Sequence, residues 1–219
     1  MGVANHRSNG GSVANSLYYA TLMGCSGHHL GVLGRDDISA FSIQDYNNQG
    51  IGHSFDQQQQ DGDSGCCIVL ITPDGERTMM TYLGVSSNYN ESFDYASVFK
   101  KSERVFIEGY LLTSPLCVDL LMNQWMPLFK QYQVKVLFSL SDFNLIILFS
   151  SAYQQLIAAG IDTIFCNKKE AQALSAHTEM TDIADYFRAH SSTTTITTST
   201  QHCKIFSRCH RIVWMPMCW

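Results

Sequence analysis

The sequence is poor in charge and contains no long apolar segment. Charged residues make up 15% of the 219, and acidic side chains outnumber basic ones to give a net charge of −5. Such a chain gains no electrostatic help in binding nucleic acid, which depends on neutralising phosphates. Its longest apolar run, Cys66–Ile71, is far shorter than the roughly 20 residues that cross a bilayer. The sequence therefore predicts neither a nucleic-acid partner nor a membrane partner.

Cysteine pairs with metal or redox spacing are also missing. The chain has 8 cysteines, but none forms a Cys-x-x-Cys motif, and the opening residues 1–11 contain no apolar signal segment. We expect a cytoplasmic protein whose cysteines are mostly reduced and buried. Near the C-terminus the spacing of a His/Cys group fits no zinc signature, so chance clustering is favoured over a metal site. That group is His202, Cys203, Cys209 and His210.

The order of strand-like and helix-like segments predicts an α/β fold with a largely parallel sheet. Hydrophobic residues make up 45% of the chain, which is enough for one sizeable core. We therefore expect a single domain over residues 1–219. Two strand-like runs, Cys66–Thr72 and Arg77–Leu83, flank a Pro-Asp-Gly-Glu turn and predict a hairpin. Beyond Phe206 no periodicity is readable, so residues 207–219 are predicted to be an irregular tail.

Paired glycines precede the first predicted helix. Gly10 and Gly11 would let a ligand approach the backbone closely, where the amides at a helix start favour negative charge. Asn15, in the first turn, can donate and accept hydrogen bonds, which suits a substrate rich in hydroxyl groups. The alternative is a flexible loop followed by a helix that Ser12 caps. The residues alone do not separate the two interpretations.

A second candidate follows a buried strand, where α/β proteins commonly bind ligands. Glu170 could hold magnesium through water there, with Asn167 beside phosphate groups. However, Asn followed three residues later by Glu is also a helix capping box, and this simpler interpretation is favoured. The predicted hairpin is a third candidate. It could cover a site and exclude water, although an ordinary surface hairpin fits equally well.

Taken in order, these features resemble the pfkB family of ribokinase-like kinases. Its first signature has counterparts in Gly11, Asn15, Gly24 and Gly34, while Val13 and Leu17 depart from the small residues that the family prefers. The sequence around the predicted hairpin, TPDGERTMMTYLG, resembles the lid of the adenosine-kinase-like branch. Other matching segments are Asp36 after Gly34, IEGYLL, Ser141-Asp142, and the Asn-x-x-Glu motif at 167–170. The resemblance extends from Gly10 to Ile205.

This resemblance implies a layered ribokinase-like α/β domain with a small inserted β lid, formed by segments of about 42–56 and 61–85. It also implies ATP-dependent phosphorylation of a hydroxymethyl group on a sugar or an adenosine-like nucleoside, with ATP and Mg²⁺ as cofactors. A homodimer through the lid is a further implication. The substrate-side residues are then Gly10, Gly11, Asn15, Arg77 and Glu108. The nucleotide and magnesium side is then Asn167, Glu170 and Thr198.

One family motif has no counterpart here. The Gly-Ala-Gly-Asp run, which supplies an anion hole and the catalytic base, is absent from the sequence, so we assign no catalytic residue. Thr200 and Cys203 stand where a nearby family motif has glycines, and only nine residues precede Gly10, where the first family strand is expected. We therefore expect an incomplete domain. Its activity is either impaired, or replaced by ligand binding or lid-mediated dimerisation without catalysis.

Overall fold

A computed structural model of the chain describes residues 7–197 and 211–215. Its main feature is a 7-stranded sheet in which all neighbouring strands are parallel, with helices packed on both faces. This architecture confirms the predicted α/β class. The strands are β1 Ser26–His29, β2 Gly52–His53, β3 Cys66–Ile71, β4 Arg77–Tyr82, β5 Arg104–Glu108, β6 Lys135–Ser139, β7 Ile161–Asn167, β8 Ser191–Thr197 and β9 Arg211–Met215.

The helices fall close to the segments that periodicity predicts. One predicted helix is composite, because an α-helix, a π-helical turn over Leu121–Trp125 and a second α-helix follow one another without a break. The α-helices are α1 Gly11–Leu22, α2 Asp37–Asn48, α3 Phe55–Gln58, α4 Tyr95–Phe99, α5 Pro115–Leu120, α6 Met126–Tyr132, α7 Phe143–Leu148, α8 Ser150–Ala159, α9 Lys168–Ser175 and α10 Met180–His190. In the part of the chain that the structure describes, no helix is both long and apolar enough to cross a membrane.

The strand order of the main sheet is β2-β1-β9-β5-β6-β7-β8. The last strand in sequence therefore lies inside the sheet, where β9 pairs with β1 on one side and β5 on the other. The prediction of an irregular tail over residues 207–219 was wrong for Arg211–Met215. A five-residue strand that pairs only with distant segments leaves little periodicity to read. It still buries Val213 and Met215.

The predicted lid needs one correction. Segment 42–56 belongs to the main body, because it contains the end of α2 and the edge strand β2 of the main sheet. Its apolar side chains Tyr46, Ile51 and Phe55 are buried, which holds the segment against the body. Strands β3 and β4 form a separate antiparallel sheet that projects from the body, within segment 61–85. We call this two-stranded sheet, Cys66–Tyr82, the lid hairpin.

Alternating side chains of the strands build two apolar layers, one on each face of the sheet. On β5, Val105 and Ile107 face the layer formed with α4 to α10, while Phe106 faces the layer formed with α1 and α2. Cys25, Cys117 and Cys166 are buried in these layers. The helices thus cover both faces of the sheet and leave its strand ends as the places where a ligand can bind.

Three histidines lie close together on the neighbouring strands β1 and β2, and two of them, His29 and His53, contact Tyr46 of α2. The Nδ1 atom of His29 lies 2.7 Å from the Tyr46 hydroxyl, and the His28 Nε2 atom lies 2.8 Å from the Ser54 hydroxyl. Burial, and then the neighbouring histidines, lower the pKa of His28 to about 4 and that of His29 to about 3. Burial also lowers the pKa of His53. This cluster favours the folded state when it is neutral, and that contribution is lost as the pH falls below the ordinary histidine value of 6.5.

The central position of β9 generates a stability prediction. Val213 pairs with His28 on β1 and Val105 on β5, and is only 2% exposed. Val213→Asp would bury an unpaired carboxylate, so we expect it to lower the free energy of unfolding by more than about 4 kcal/mol. The matched control is Val69→Asp on the exposed lid hairpin, which should change it by about 0.5 kcal/mol or less. Urea denaturation followed by circular dichroism measures both, and equal effects would contradict the placement of β9.

Candidate active site

The carboxyl ends of the parallel strands meet at one edge of the sheet, which is where α/β proteins of this kind bind ligands. Strands β5, β6 and β7 end there at Glu108, Ser139 and Asn167. Helix α1 begins at the same edge. The short turn Met23–Cys25 joins α1 to the amino end of β1, so the helix must run opposite to the strands. This edge therefore collects residues from both halves of the sheet.

The start of α1 is open. Gly10 is the N-cap residue in an extended conformation, and among residues 7–197 and 211–215 no side-chain cap is found at it, so Ser12 does not play the capping role considered above. Gly11 has φ +80°, a left-handed conformation that strains other residues, and a side chain added at Gly10 would meet no atom within 4 Å. Asn15 is exposed. The first amides of α1 are thus accessible to an anionic or hydroxyl-bearing ligand.

The Asn-x-x-Glu motif forms the capping box that its spacing predicts. The Asn167 side chain accepts a hydrogen bond from the Glu170 backbone N–H at 2.9 Å. In return, Glu170 accepts hydrogen bonds from the Asn167 backbone N–H at 3.0 Å and from its side-chain amide at 2.6 Å. Both carboxylate oxygens of Glu170 are therefore engaged with Asn167. Glu170 is buried, whereas Asn167 is exposed at the edge of the sheet.

This geometry limits how magnesium could be held. No set of three or more acidic, histidine or cysteine side chains within residues 7–197 and 211–215 is arranged to bind a metal directly. Glu170 is also occupied by its own helix cap. The residues present therefore fit an ion that the nucleotide phosphates carry and that the protein contacts through water, as Mg²⁺ commonly is.

Carboxyl groups from three successive strand ends surround Tyr110. Burial raises the pKa of the Tyr110 hydroxyl first, and the charges of Asp142, Glu108 and Glu170 raise it further. The parallel pairing of β5 with β6 and of β6 with β7 brings the ends of these strands close together. An accumulation of acidic groups here costs free energy unless some of them are protonated or a cation is bound nearby.

Glu108 is the most buried of these acids. It is the last residue of β5 and is only 2% exposed, and burial raises its pKa to about 8. At neutral pH most of the population therefore carries a proton on this carboxyl group. A neutral carboxylic acid can donate a hydrogen bond, which an ionised one cannot. The sequence prediction placed Glu108 on the substrate side, and the structure places it at the carboxyl edge of the sheet.

The backbone beyond Glu108 is held by Ser141, which the resemblance included in the matching Ser141-Asp142 segment without giving it a role. Ser141 has φ +70°, an uncommon conformation for a residue with a side chain, and its hydroxyl accepts a hydrogen bond from the Gly109 N–H at 2.9 Å. Gly109 cannot carry a side chain, because an added Cβ would lie 2.1 Å from the Tyr153 hydroxyl. These contacts join the ends of β5 and β6.

The structure does not bring every predicted residue to this edge. Arg77 opens β4 opposite Ile71, beside the turn of the lid hairpin and at the end farthest from its base. It is exposed, and would approach the site only through movement of the hairpin. Thr198, predicted on the nucleotide side, lies outside the described residues.

Comparison with known proteins identifies the family. The family model described as pfkB family carbohydrate kinase matches residues 3–213. The chain belongs to the pfkB family. Among curated proteins, an uncharacterized sugar kinase, YegV of Escherichia coli K12, is 36% identical over 66 residues, which are 30% of this chain and 20% of that protein.

Solved structures show the same fold. Adenosine kinase from Sinorhizobium meliloti matches with a TM-score of 0.77 at 23% identity, over 87% of this chain and 58% of that one. Adenosine kinase from Anopheles gambiae matches with a TM-score of 0.71 at 17% identity, over 85% and 60%. The pfkB chain therefore spans less than two thirds of these structures. At such identities the likeness concerns the fold, and it confirms the ribokinase-like architecture.

The raised pKa of Glu108 generates a prediction with a defined sign. Its folded-state pKa of about 8 exceeds the ordinary 4.5, so its contribution to stability is full below pH 4.5 and is lost as the pH rises through 8. Glu108→Gln should remove this loss, which amounts to about 1–2 kcal/mol between pH 6.5 and 8. In that window the histidine cluster stays neutral.

Urea denaturation at a series of pH values measures this effect. The control is Glu103→Gln, the same exchange at an exposed residue just before β5. Relative to Glu108→Gln, wild type and the control should each lose about 1–2 kcal/mol of stability between pH 6.5 and 8, because the histidines that titrate in the unfolded chain are common to all three proteins. If all three follow parallel curves, Glu108 does not carry the buried proton.

Proposed function

We propose that this pfkB chain is a kinase that transfers the γ-phosphate of ATP to a hydroxymethyl group of a sugar or an adenosine-like nucleoside. The observation that supports the proposal is that the start of α1 lies at the same edge of the sheet as the ends of β5, β6 and β7, with Glu108 buried there. Family membership indicates the class of reaction. The edge provides residues that would contact the acceptor and residues that would contact ATP.

The acceptor would bind at the start of α1. The amides after Gly10 and Gly11 are uncapped, and exposed Asn15 offers both a donor and an acceptor to substrate hydroxyls. Protonated Glu108 would donate a hydrogen bond to a hydroxyl oxygen of the acceptor. Arg77 would reach the site only when the lid hairpin closes over it. Closure would exclude water, which otherwise competes for the phosphoryl group.

ATP would lie beside the start of α9, with exposed Asn167 near its phosphates and Glu170 holding that side chain in place. Thr198 remains a sequence prediction for the same side. Magnesium, when bound with the nucleotide, neutralises the phosphate charge during transfer. The cytoplasmic location expected from the sequence also stays a prediction.

The 219 residues contain no Gly-Ala-Gly-Asp run, and we expect transfer by this chain to be slow. A missing general base costs roughly 10²–10⁴-fold in rate, and a missing anion-stabilising donor costs a further factor of about 10²–10³. Positioning and binding of the two substrates do not depend on that run. Ligand binding should therefore survive where transfer is weak.

A second candidate function has its own observation. The lid hairpin exposes apolar side chains on both of its faces, with Ile68, Leu70 and Met80 on one and Val69, Ile71 and Met79 on the other. A lid needs only one face to cover a site, so the other is available to a second copy of the chain. The alternative is therefore a ligand-binding module that dimerises through the lid and does not catalyse transfer.

The experiment that tests the function offers Mg-ATP with adenosine, inosine, ribose or fructose separately, and measures the phosphorylated product. We expect one acceptor to give product above background, at a rate at least about 10²-fold below that of a complete pfkB kinase assayed in parallel. Glu108→Ala should weaken binding of that acceptor, whereas Glu103→Ala at the exposed control position should not.

The outcomes separate the two candidates. If a folded protein binds an acceptor by calorimetry but makes no product, and sediments as a dimer, the non-catalytic module is correct. If no acceptor binds to a folded protein, both functions are wrong.

A further inference from the structure

The lid hairpin joins the body through a base whose backbone segments touch one another. We call residues 61–64 and 83–86 the lid hinge. The Val85 N–H donates to the Asp63 carbonyl at 3.0 Å, which links the two sides of the hinge. A side chain added at Gly84 would lie 2.2 Å from the Asp63 oxygen, and one added at Gly34 would lie 2.1 Å from the Gly62 oxygen. The loop at Gly34 is thus in backbone contact with the hinge.

Asp36, the residue that caps α2, is also bonded to this hinge. Its Oδ1 atom accepts hydrogen bonds from the Ser39 N–H at 2.8 Å and the Ser64 hydroxyl at 2.7 Å. Its Oδ2 atom accepts one from the Ser64 N–H at 2.7 Å. The Ser64 hydroxyl in turn accepts from the Gly34 N–H at 2.9 Å. Ser64 is fully buried, and bonds of this kind to a carboxylate are stronger than those between neutral groups.

The pKa of Asp36 agrees with this bonding. Partial burial raises the pKa of the carboxyl group, but the hydrogen bonds from Ser64 and Ser39 outweigh it, and the net result is a pKa below the ordinary value. Asp36 therefore stays ionised at the pH where a kinase works. Asp36 thus has two structural roles. The bond from Ser39 caps α2, and the two bonds from Ser64 hold the hinge.

Outside the hinge, few residues of the lid hairpin are buried. All six residues of β4 and the last four of β3 are exposed, while Ser64 and Ser86 in the hinge are buried. A two-stranded hairpin by itself is only marginally stable in water. Both the order of the hairpin and its angle to the body must therefore come from the hinge.

We propose that Asp36 is a positioning residue of the lid: by accepting both hydrogen bonds of Ser64, it fixes the hinge to the start of α2 and sets where the hairpin stands over the sheet edge. The role of the hairpin as a cover rests on the proposed function. The hinge itself does not depend on ATP or on an acceptor. Movement of α2 would be transmitted to the lid through this side chain, beside the backbone contact of the Gly34 loop with the hinge.

Hydrogen–deuterium exchange of the protein without ligands tests the proposal. Asp36→Asn keeps an oxygen at Oδ1, which can still accept from the Ser39 N–H and the Ser64 hydroxyl, but it places an NH₂ group against the Ser64 N–H, from which that group cannot accept a hydrogen bond. We expect the amides of residues 66–82 to exchange roughly tenfold faster, while those in the second half of α2 change much less. Ser64→Ala keeps the backbone bond and should give a smaller change in the same segment.

The matched control is Ser39→Ala. It removes the hydroxyl that completes the capping box of α2, but that hydroxyl makes no contact with Ser64. It should therefore speed exchange in α2 and leave the hairpin unchanged. If Asp36→Asn does not fold, Ser64→Ala against Ser39→Ala gives the same comparison.

Exchange in the hairpin that is equal in wild type, Asp36→Asn and Ser64→Ala would show that Asp36 is a helix cap only, and would overturn the proposal. Because no substrate is present, this result is independent of whether the chain transfers phosphate. If exchange responds as expected but the transfer assay fails, the hinge stands and the proposed function does not. With a transferable acceptor, Asp36→Asn should also raise KM more than it lowers kcat.

Discussion

The site depends on the strand that closes the middle of the sheet. Strand β9 supplies the only hydrogen-bonded link, within the described residues, between β1 and β5. The open start of α1 belongs to the β1 side, whereas Glu108 and the capping box of α9 belong to the other side. Parallel strands need partners on both sides to satisfy their backbone groups. Without β9, the described sheet would have no hydrogen-bonded connection between the β1 side and Glu108.

The chain combines a polar edge of the main sheet with the separate lid hairpin. The edge concentrates Glu108, Asp142 and Glu170, and burial keeps the first of them protonated near neutral pH. The lid hairpin stands apart from the core and is anchored at Ser64 by the ionised side chain of Asp36. In the proposed function, the sheet edge would position the substrates and the hairpin would exclude water, which are requirements of phosphoryl transfer.

Local patterns predicted most of the helices and the hairpin, because amphipathic periodicity and turn residues act over a few positions. The spacing of Asn167 and Glu170 correctly favoured a capping box. Long-range pairing could not be predicted: β9 pairs with strands far away in sequence, and segment 42–56 became part of the body through buried contacts of Tyr46 and Phe55. At the site, the resemblance pointed to Glu108, but its burial and the left-handed Ser141 follow from packing that no motif encodes.

The most direct test of this account is the hydrogen exchange of the amides in Arg211–Met215, compared with those of Arg104–Glu108. A strand paired on both sides exchanges only through large-scale unfolding, so the account predicts that both segments are protected to a similar degree and lose protection together in denaturant. Fast exchange in Arg211–Met215 while Arg104–Glu108 stays protected would contradict it. In that case a different strand would lie between β1 and β5, and the placement of the site residues would be wrong.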